Sequence, residues 1–202
     1  MYIEGPIHKY LEDLAARKPA PGGGSAAALQ AAMGVALMSM VANYTVGNEK
    51  YKDVEKRAAD LLVKSDRYRT ELGELVDKDV EAYKNLSEGM KKHKKGTQEL
   101  EDVYKKAIEP PYETCKIASE CLKLCGELVE IGNRNLITDT AIAAIMLEGA
   151  FFSAKYNVYI NLKYMNDMKF IESVHRFLSP LEKEMPRLRE EIIEKCEDVI
   201  AK

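Results

Sequence analysis

The chain's 202 residues suit one domain, and a hydrophobic share of 46% supplies enough apolar surface for a substantial core. Thirty basic residues against thirty-three acidic ones leave a formal charge of −3, which gives no electrostatic reason to expect nucleic acid as a partner. The opening Met1-Tyr2-Ile3-Glu4-Gly5-Pro6 lacks a basic head followed by an apolar stretch, so no secretory signal is read and a cytoplasmic protein is expected.

A first helix is predicted from about Ile3 to Ala16, with Ile7, Tyr10, Leu11 and Leu14 on one side. It runs into Pro19-Ala20-Pro21-Gly22-Gly23-Gly24-Ser25, which opens a stretch of 30 residues, 19 to 48, without a charge. The prolines stiffen the approach, and the glycines remove every Cβ where the backbone turns into the Ala-rich segment from Ala26 to Ala42. Ser25, or Gly24 before it, stands where a helix N-cap belongs. The free amides of the first turn and the positive end of the helix dipole then face one space, suited to an anion or a carbonyl. No Gly-Lys-Ser/Thr follows, and the glycines are not spaced Gly-x-Gly-x-x-Gly after a strand, so a nucleotide loop is rejected. Two readings of the loop stay open: a ligand cradle, or a tight turn that lets two helices pack closely.

The second helix is expected over roughly Ser25 to Tyr44, with Ala28, Ala32 and Ala36 spaced to admit another backbone, and Gly47 and Asn48 closing it. The uncharged run is long enough to span a membrane. It is built largely of Ala and Gly, contains Gln30, Ser39 and Asn43, and is interrupted by the Pro/Gly loop, so a buried soluble helix is read instead.

A third helix is predicted from Tyr51 to His93. Val54, Ala58, Leu61, Ser65, Tyr68, Leu72, Leu75, Asp79, Ala82 and Leu86 alternate at intervals of four and three, a heptad seam that wants another helix along its length. Asp79 breaks the apolar rule. Packed among Leu75, Val76, Val80 and Tyr83 it needs a partner or a raised pKa, which makes it a candidate for proton transfer; if the seam splays, it stays wet and ordinary. The run Lys91-Lys92-His93-Lys94-Lys95 before Gly96 reads as a solvated helix end.

Thr97 is expected to cap the next helix, and Glu109-Pro110-Pro111 to kink or break it and turn the chain before a segment from Tyr112 to Ile131. Cys115, Cys121, Cys125 and Cys196 lack zinc-ribbon spacing and have no local histidine, so they read as reduced, half-buried thiols and no metal site is expected. The turn from Gly132 to Asp139 is rich in short amides, and its Thr138 or Asp139 is expected to cap a second central helix from about Thr140 to Met165. That helix contains Glu148 and carries Asn157 and Asn161 on one face, either bonded between helices or aimed at a ligand. The last segment, Phe170 to Ala201, is amphipathic, with bends expected at Pro180 and Pro186 and no visible chemistry.

Several of these segments together resemble the cyclodeaminase/cyclohydrolase family, which includes the C-terminal domain of formiminotransferase-cyclodeaminase and methenyltetrahydrofolate cyclohydrolases. They are Pro21-Gly22-Gly23-Gly24-Ser25 leading to Val41-Ala42-Asn43, Asp79-x-x-Ala82-Tyr83, Gly132-Asn133-x-Asn135, Thr138-Asp139, and Asn157-Val158-x-Ile160-Asn161-Leu162. Thr138-Asp139-Thr140 departs slightly from the family's Ser-Asp followed by a small residue. The resemblance covers most of residues 1–202, read as a single domain, and implies an all-α bundle of long helices that dimerises through them with the folate cleft at or near the interface.

It also implies chemistry on tetrahydrofolate carrying one carbon. A cyclohydrolase opens 5,10-methenyltetrahydrofolate to 10-formyltetrahydrofolate; a cyclodeaminase closes 5-formiminotetrahydrofolate and expels ammonia. The hydrolase is expected here, since these 202 residues leave no room for a transferase domain. A non-catalytic helical assembly protein is the competing class. On the resemblance, Asp79 moves a proton, and Asp139 either stabilises the amidinium-like cation or merely caps its helix. Gly22, Gly23, Gly24 and Ser25 hold the pterin or a glutamyl tail, and Asn43, Asn133, Asn135, Asn157 and Asn161, with Tyr83 and Thr138 beside them, read the polar pterin edge. His8, His93 and His175 lie outside every matched segment, and no cofactor beyond the folate substrate is implied.

Overall fold

A computed structural model describes residues 1–202, and it is all helical, without strands. Its six α-helices are α1 (Ile7–Ala15), α2 (Gly23–Asn43), α3 (Glu55–Lys92), α4 (Gln98–Ile131), α5 (Ile137–Leu162) and α6 (Met168–Ile200). Short 3₁₀ turns, Glu49–Val54 and Arg134–Leu136, lead into α3 and α5.

Helices α2 to α5 form the bundle: α2 packs on α3 and α5, and α4 closes the other side against the same two, while α6 lies on α4 and α5. Helix α2 runs antiparallel to both neighbours. Ser25 meets Asp79 in the second half of α3, and Gln30 and Gly34 meet Gly149 and the stretch Ala143–Leu147 of α5. The close approach of α2 and α5 depends on Gly34, where an added Cβ would lie 3.3 Å from the Ala143 carbonyl and from Leu147 Cγ. Of the expected alanine stripe, Ala28 and Ala32 are buried, but Ala36 faces solvent. Val35, Met38, Leu72, Leu122, Leu147 and Phe151 fill the centre without exposure. All four cysteines are buried there with free thiols, more deeply than the half-burial expected of them, and burial pushes the Cys115 thiol up to about 12.

The seam on α3 is used within the chain. Ala58, Leu61, Ser65, Leu72, Leu75 and Leu86 are buried against α2 and α4, which supply the helices the heptad pattern wants.

Several local expectations are corrected. Helix α1 starts at Ile7, not Ile3, because Pro6 takes the extended N-cap position, and the residues before it cross to α3. Helix α2 begins at Gly23 with Gly22 as N-cap, so Gly24 and Ser25 lie inside the first turn. Helix α5 begins at Ile137, so Thr138 and Asp139 are first-turn residues and not caps; Asp139 still favours the positive helix end. Helix α4 passes without a break through Pro110 and Pro111, and α6 through Pro180 and Pro186. Both prolines of α4 are buried, as are Leu181 and Met185 in α6, and packing on both flanks keeps these helices continuous through positions that local propensity disfavours.

One face of the bundle lacks a cover. Met33 of α2 and Tyr44 just past its end, with Ile142, Ile145, Tyr156 and Ile160 of α5, are exposed large apolar side chains. In the most apolar stretch of α2 61% of residues are buried, against 39% in α5, so the exposed stripe belongs chiefly to α5.

Truncating Leu147, which is fully buried at the α2–α5 contact, leaves a cavity that Gly34 cannot fill. The Leu147→Ala variant is expected to lose about 2–5 kcal/mol of stability, read from its urea unfolding midpoint.

Candidate functional site

The first turn of α2 has no Cβ atoms at Gly23 and Gly24, and the space they leave is taken by side chains from two other helices. Asp79 of α3 accepts the Ser25 backbone N–H at Oδ2 over 2.8 Å. A Cβ on Gly24 would stand 2.1 Å from Asp79 Oδ1, and one on Gly23 would stand 3.2 Å from the amide of Asn157. The glycines let helices approach closely, as the tight-turn reading expects, and the approach also leaves a cleft. That cleft encloses about 180 Å³, with Gly22, Gly23, Gly24, Asp79, Tyr83, Asn157 and Asn161 in its wall. Pro19, Leu86, Ala107 and Ile160 supply the apolar remainder.

Asp79 is the only carboxylate lining the cleft. Burial raises its pKa to about 6, and the Ser25 N–H, which favours the ionised form, offsets that only in part. A carboxyl group titrating there can both take and return a proton near neutral pH. Asn157 donates Nδ2 to the Ser153 carbonyl at 2.9 Å, and Asn161 donates Nδ2 to the Asn157 carbonyl at 3.0 Å. Their side-chain oxygens have no donor within the chain and remain as acceptors for a ligand's N–H groups. Tyr83 stands at the rim, 46% exposed. Ser25 is fully buried behind the wall, its hydroxyl 3.2 Å from that of Tyr10.

The other residues read from the sequence gather elsewhere. Asn43 ends α2, and the 21 residues of that helix put it roughly 30 Å from Gly23. It is exposed, with its amide nitrogen on the Ser39 carbonyl. Asn133 is buried at the same end, and every polar group of its side chain is used within the chain. Nδ2 donates to the Tyr44 carbonyl at 3.1 Å, and Oδ1 accepts from Asn135 N–H at 3.1 Å and from the Tyr51 hydroxyl at 3.4 Å. Its backbone N–H donates to Thr45 Oγ1 at 2.9 Å. Asn133 thus ties the end of α2 to the start of α5. Asn135 and Thr138 are exposed and Asp139 half-buried at the head of α5, so within one chain none of this group reaches Asp79.

Sequence reading missed Pro19, Leu86 and Ala107 as cleft residues, because apolar positions on a helix seam look the same whether they face a core or a cavity. It also missed Lys155, buried with its ammonium 3.2 Å from Glu182 and 4.8 Å from the Phe152 ring centroid; an isolated lysine in an apolar run gives no partner signal. Glu148 is paired with Arg189 at 2.9 Å.

Asp79 titrates near 6 in the folded chain and near 3.8 when its environment is lost. Between those values the folded state holds a proton that the unfolded state releases, so stability falls as pH rises, and above pH 6 the full cost of roughly 2–3 kcal/mol is present. Asp79→Asn is expected to be more stable than wild type at pH 8 and to lose that advantage near pH 4, read from unfolding midpoints. Gly24→Ala is expected to displace the carboxylate and destabilise the fold by about 1–3 kcal/mol, measured the same way.

Comparison with known proteins matches residues 6–179 to the family described as Formiminotransferase-cyclodeaminase. A methenyltetrahydrofolate cyclohydrolase of Methylorubrum extorquens is 35% identical over 195 residues, covering 93% of this chain and 94% of that protein. The formimidoyltransferase-cyclodeaminase of Mus musculus is 32% identical over 186 residues, or 89% of this chain, which spans only about a third (34%) of the mouse protein's length. The crystal structure of formiminotetrahydrofolate cyclodeaminase from Thermotoga maritima superposes with a TM-score of 0.92 at 29% identity, covering 99% of this chain and 100% of that one. The chain belongs to the formiminotransferase-cyclodeaminase family.

Proposed function

We propose that the chain is a methenyltetrahydrofolate cyclohydrolase that opens 5,10-methenyltetrahydrofolate to 10-formyltetrahydrofolate, with Asp79 as the proton carrier. The observation behind this reading is the buried Asp79 carboxyl, its pKa raised by burial, held by an α2 amide in a glycine-walled cleft. The near end-to-end match to a cyclohydrolase of similar length supports the choice of reaction.

Asp79 as carboxylate faces the amidinium cation of the substrate and takes a proton from water as its oxygen bonds to the bridging carbon. The tetrahedral intermediate then breaks its bond to N5. Asp79 returns the proton to N5, the second water proton leaves to solvent, and the water oxygen becomes the formyl oxygen. The side-chain oxygens of Asn157 and Asn161 accept N–H groups of the pterin, and the Gly23 and Gly24 amides, free by their first-turn position, bind a carbonyl or carboxylate. Neither step moves electrons to an acceptor, so no cofactor beyond the folate is assigned.

Cyclodeamination is the second reading, favoured by the names of the mouse and Thermotoga proteins. There N10 attacks the formimino carbon and Asp79 protonates the departing amine.

Two copies would complete the site. The uncharged stripe of Met33, Tyr44, Ile142, Ile145, Tyr156 and Ile160 runs along α2 and α5 as far as the cleft residue Ile160. Antiparallel pairing through it would carry Asn43, Asn135, Thr138 and Asp139 of a second copy towards the glycine wall of the first, leaving Asn133 to hold that end in shape. The assembly is assigned to the cytoplasm, with a folate carrying a glutamyl tail as its ligand and neither nucleic acid nor membrane as a partner.

Purified protein is expected to accelerate the loss of amidinium absorbance of 5,10-methenyltetrahydrofolate, and Asp79→Asn to reduce turnover by about 100-fold or more with the fold intact. Ammonia released from 5-formiminotetrahydrofolate, without hydrolysis of the methenyl compound, would select the second reading. Ile145→Lys is expected to sediment as a monomer and to lose turnover; a fully active monomer would overturn the shared site.

A further inference from the structure

Two aspartates two residues apart on α3 are joined to each other through the N-terminal part of the chain. Tyr2 donates its backbone N–H to Asp77 Oδ1 at 2.6 Å, and Ile3 donates its own to Oδ2 at 3.2 Å. The Tyr2 ring meets the Tyr10 ring edge-on with centroids 5.4 Å apart. Tyr10 shares a 3.2 Å hydrogen bond with Ser25 Oγ, and Ser25 N–H returns to α3 at Asp79. Around this ring Asp13 pairs with Lys9 and with Lys18, the residue before Pro19, and accepts the Tyr2 hydroxyl at 2.9 Å. Helix α1 is therefore fastened at both ends of the glycine loop's approach.

The start of α2 needs such a fastening. Gly22, Gly23 and Gly24 offer no side chain to hold, and glycines at a helix end leave the backbone freer than any other residue. Ser25 carries the first polar side chain of the helix. It does not cap its own helix, since the N-cap is Gly22, so its hydroxyl is free for Tyr10. Tyr10 is 4% exposed and, with Asp13, is one of two buried residues of α1.

We propose that Tyr10 is a positioning residue: its hydroxyl grips Ser25 so that the first-turn amide of α2 stays on the Asp79 carboxylate. The catalytic part of this inference rests on the reading of Asp79 as proton carrier. Few other groups act on Asp79. Tyr10 faces it from α1, Tyr83 and Asp77 share α3 with it, and the cleft walls from α2, α4 and α5 contribute glycines, Ala107, Ile160 and asparagines without titratable side chains. The Ser25 amide is thus the one contact that favours the ionised carboxyl against burial, and loosening it moves the titration upwards.

The test is Tyr10→Phe, which keeps the ring against Tyr2 and removes only the hydroxyl. The side-chain carboxyl carbon of Asp79, followed by NMR across pH, is expected to titrate about half a unit or more higher than in wild type, with the acid limb of turnover moving by the same amount. Ser25→Ala is expected to give a similar shift, and the double variant no more than the larger single shift, since the two groups act in series. An unchanged titration in a folded Tyr10→Phe overturns the proposal, even if its melting temperature falls. If Tyr10→Phe does not fold, Ser25→Ala decides on the same readout. The titration needs no substrate, so absence of folate turnover in wild type would sink the functional reading while leaving the grip of Tyr10 on the site to be judged by itself.

Discussion

A carboxylate rests against the beginning of a helix that has no side chains to keep it away, and the rest of the molecule is arranged around that contact. Asp79 reaches the Ser25 amide only because Gly24 lacks a Cβ that would sit 2.1 Å from Oδ1. The same contact lies beside the cleft walled by Asn157 and Asn161, where burial brings the titration of the carboxyl near neutrality. Burial and hydrogen bonding oppose each other at this one group, and burial wins. That imbalance costs the fold stability at neutral pH and leaves a carboxyl able to exchange a proton there.

Much of this was legible in the residues. The heptad intervals from Val54 to Leu86 marked α3 and singled out Asp79 as the polar intruder, and the chargeless run from 19 to 48 marked a helix buried over most of its length. Prolines misled. Pro110 and Pro111 signal a break locally, but the helix on both sides is buried against α3 and α5, and that packing outweighs the missing donors. Caps misled too: a serine after three glycines looks like an N-cap, and only the backbone at Gly22 shows that the helix starts earlier.

The site residues divide into two groups for a reason sequence order hides. Gly22 to Ser25, Asp79, Tyr83, Asn157 and Asn161 share one end of the bundle, while Asn43, Asn133, Asn135, Thr138 and Asp139 share the other, because α2 and α5 run in opposite directions. Motifs that mark one family together need not be neighbours in one subunit. The exposed stripe along the same two helices supports a second copy as the means of reuniting them. Asn133 belongs to a different class from the rest, since its amide is spent on Tyr44, Tyr51 and Asn135 and it acts as a fastener of the chain.

Helix α2 is bolted at both extremities, at its start by Ser25 to Asp79 and just past its end by Thr45, whose hydroxyl accepts the Asn133 backbone N–H. Each residue added to an α-helix rotates the remainder of the helix by about 100° and advances it about 1.5 Å. An insertion or deletion anywhere between the two bolts would therefore leave one of them facing the wrong neighbour. The two contacts together constrain the length of α2. The turn between α3 and α4 carries neither bolt and is where such changes can accumulate.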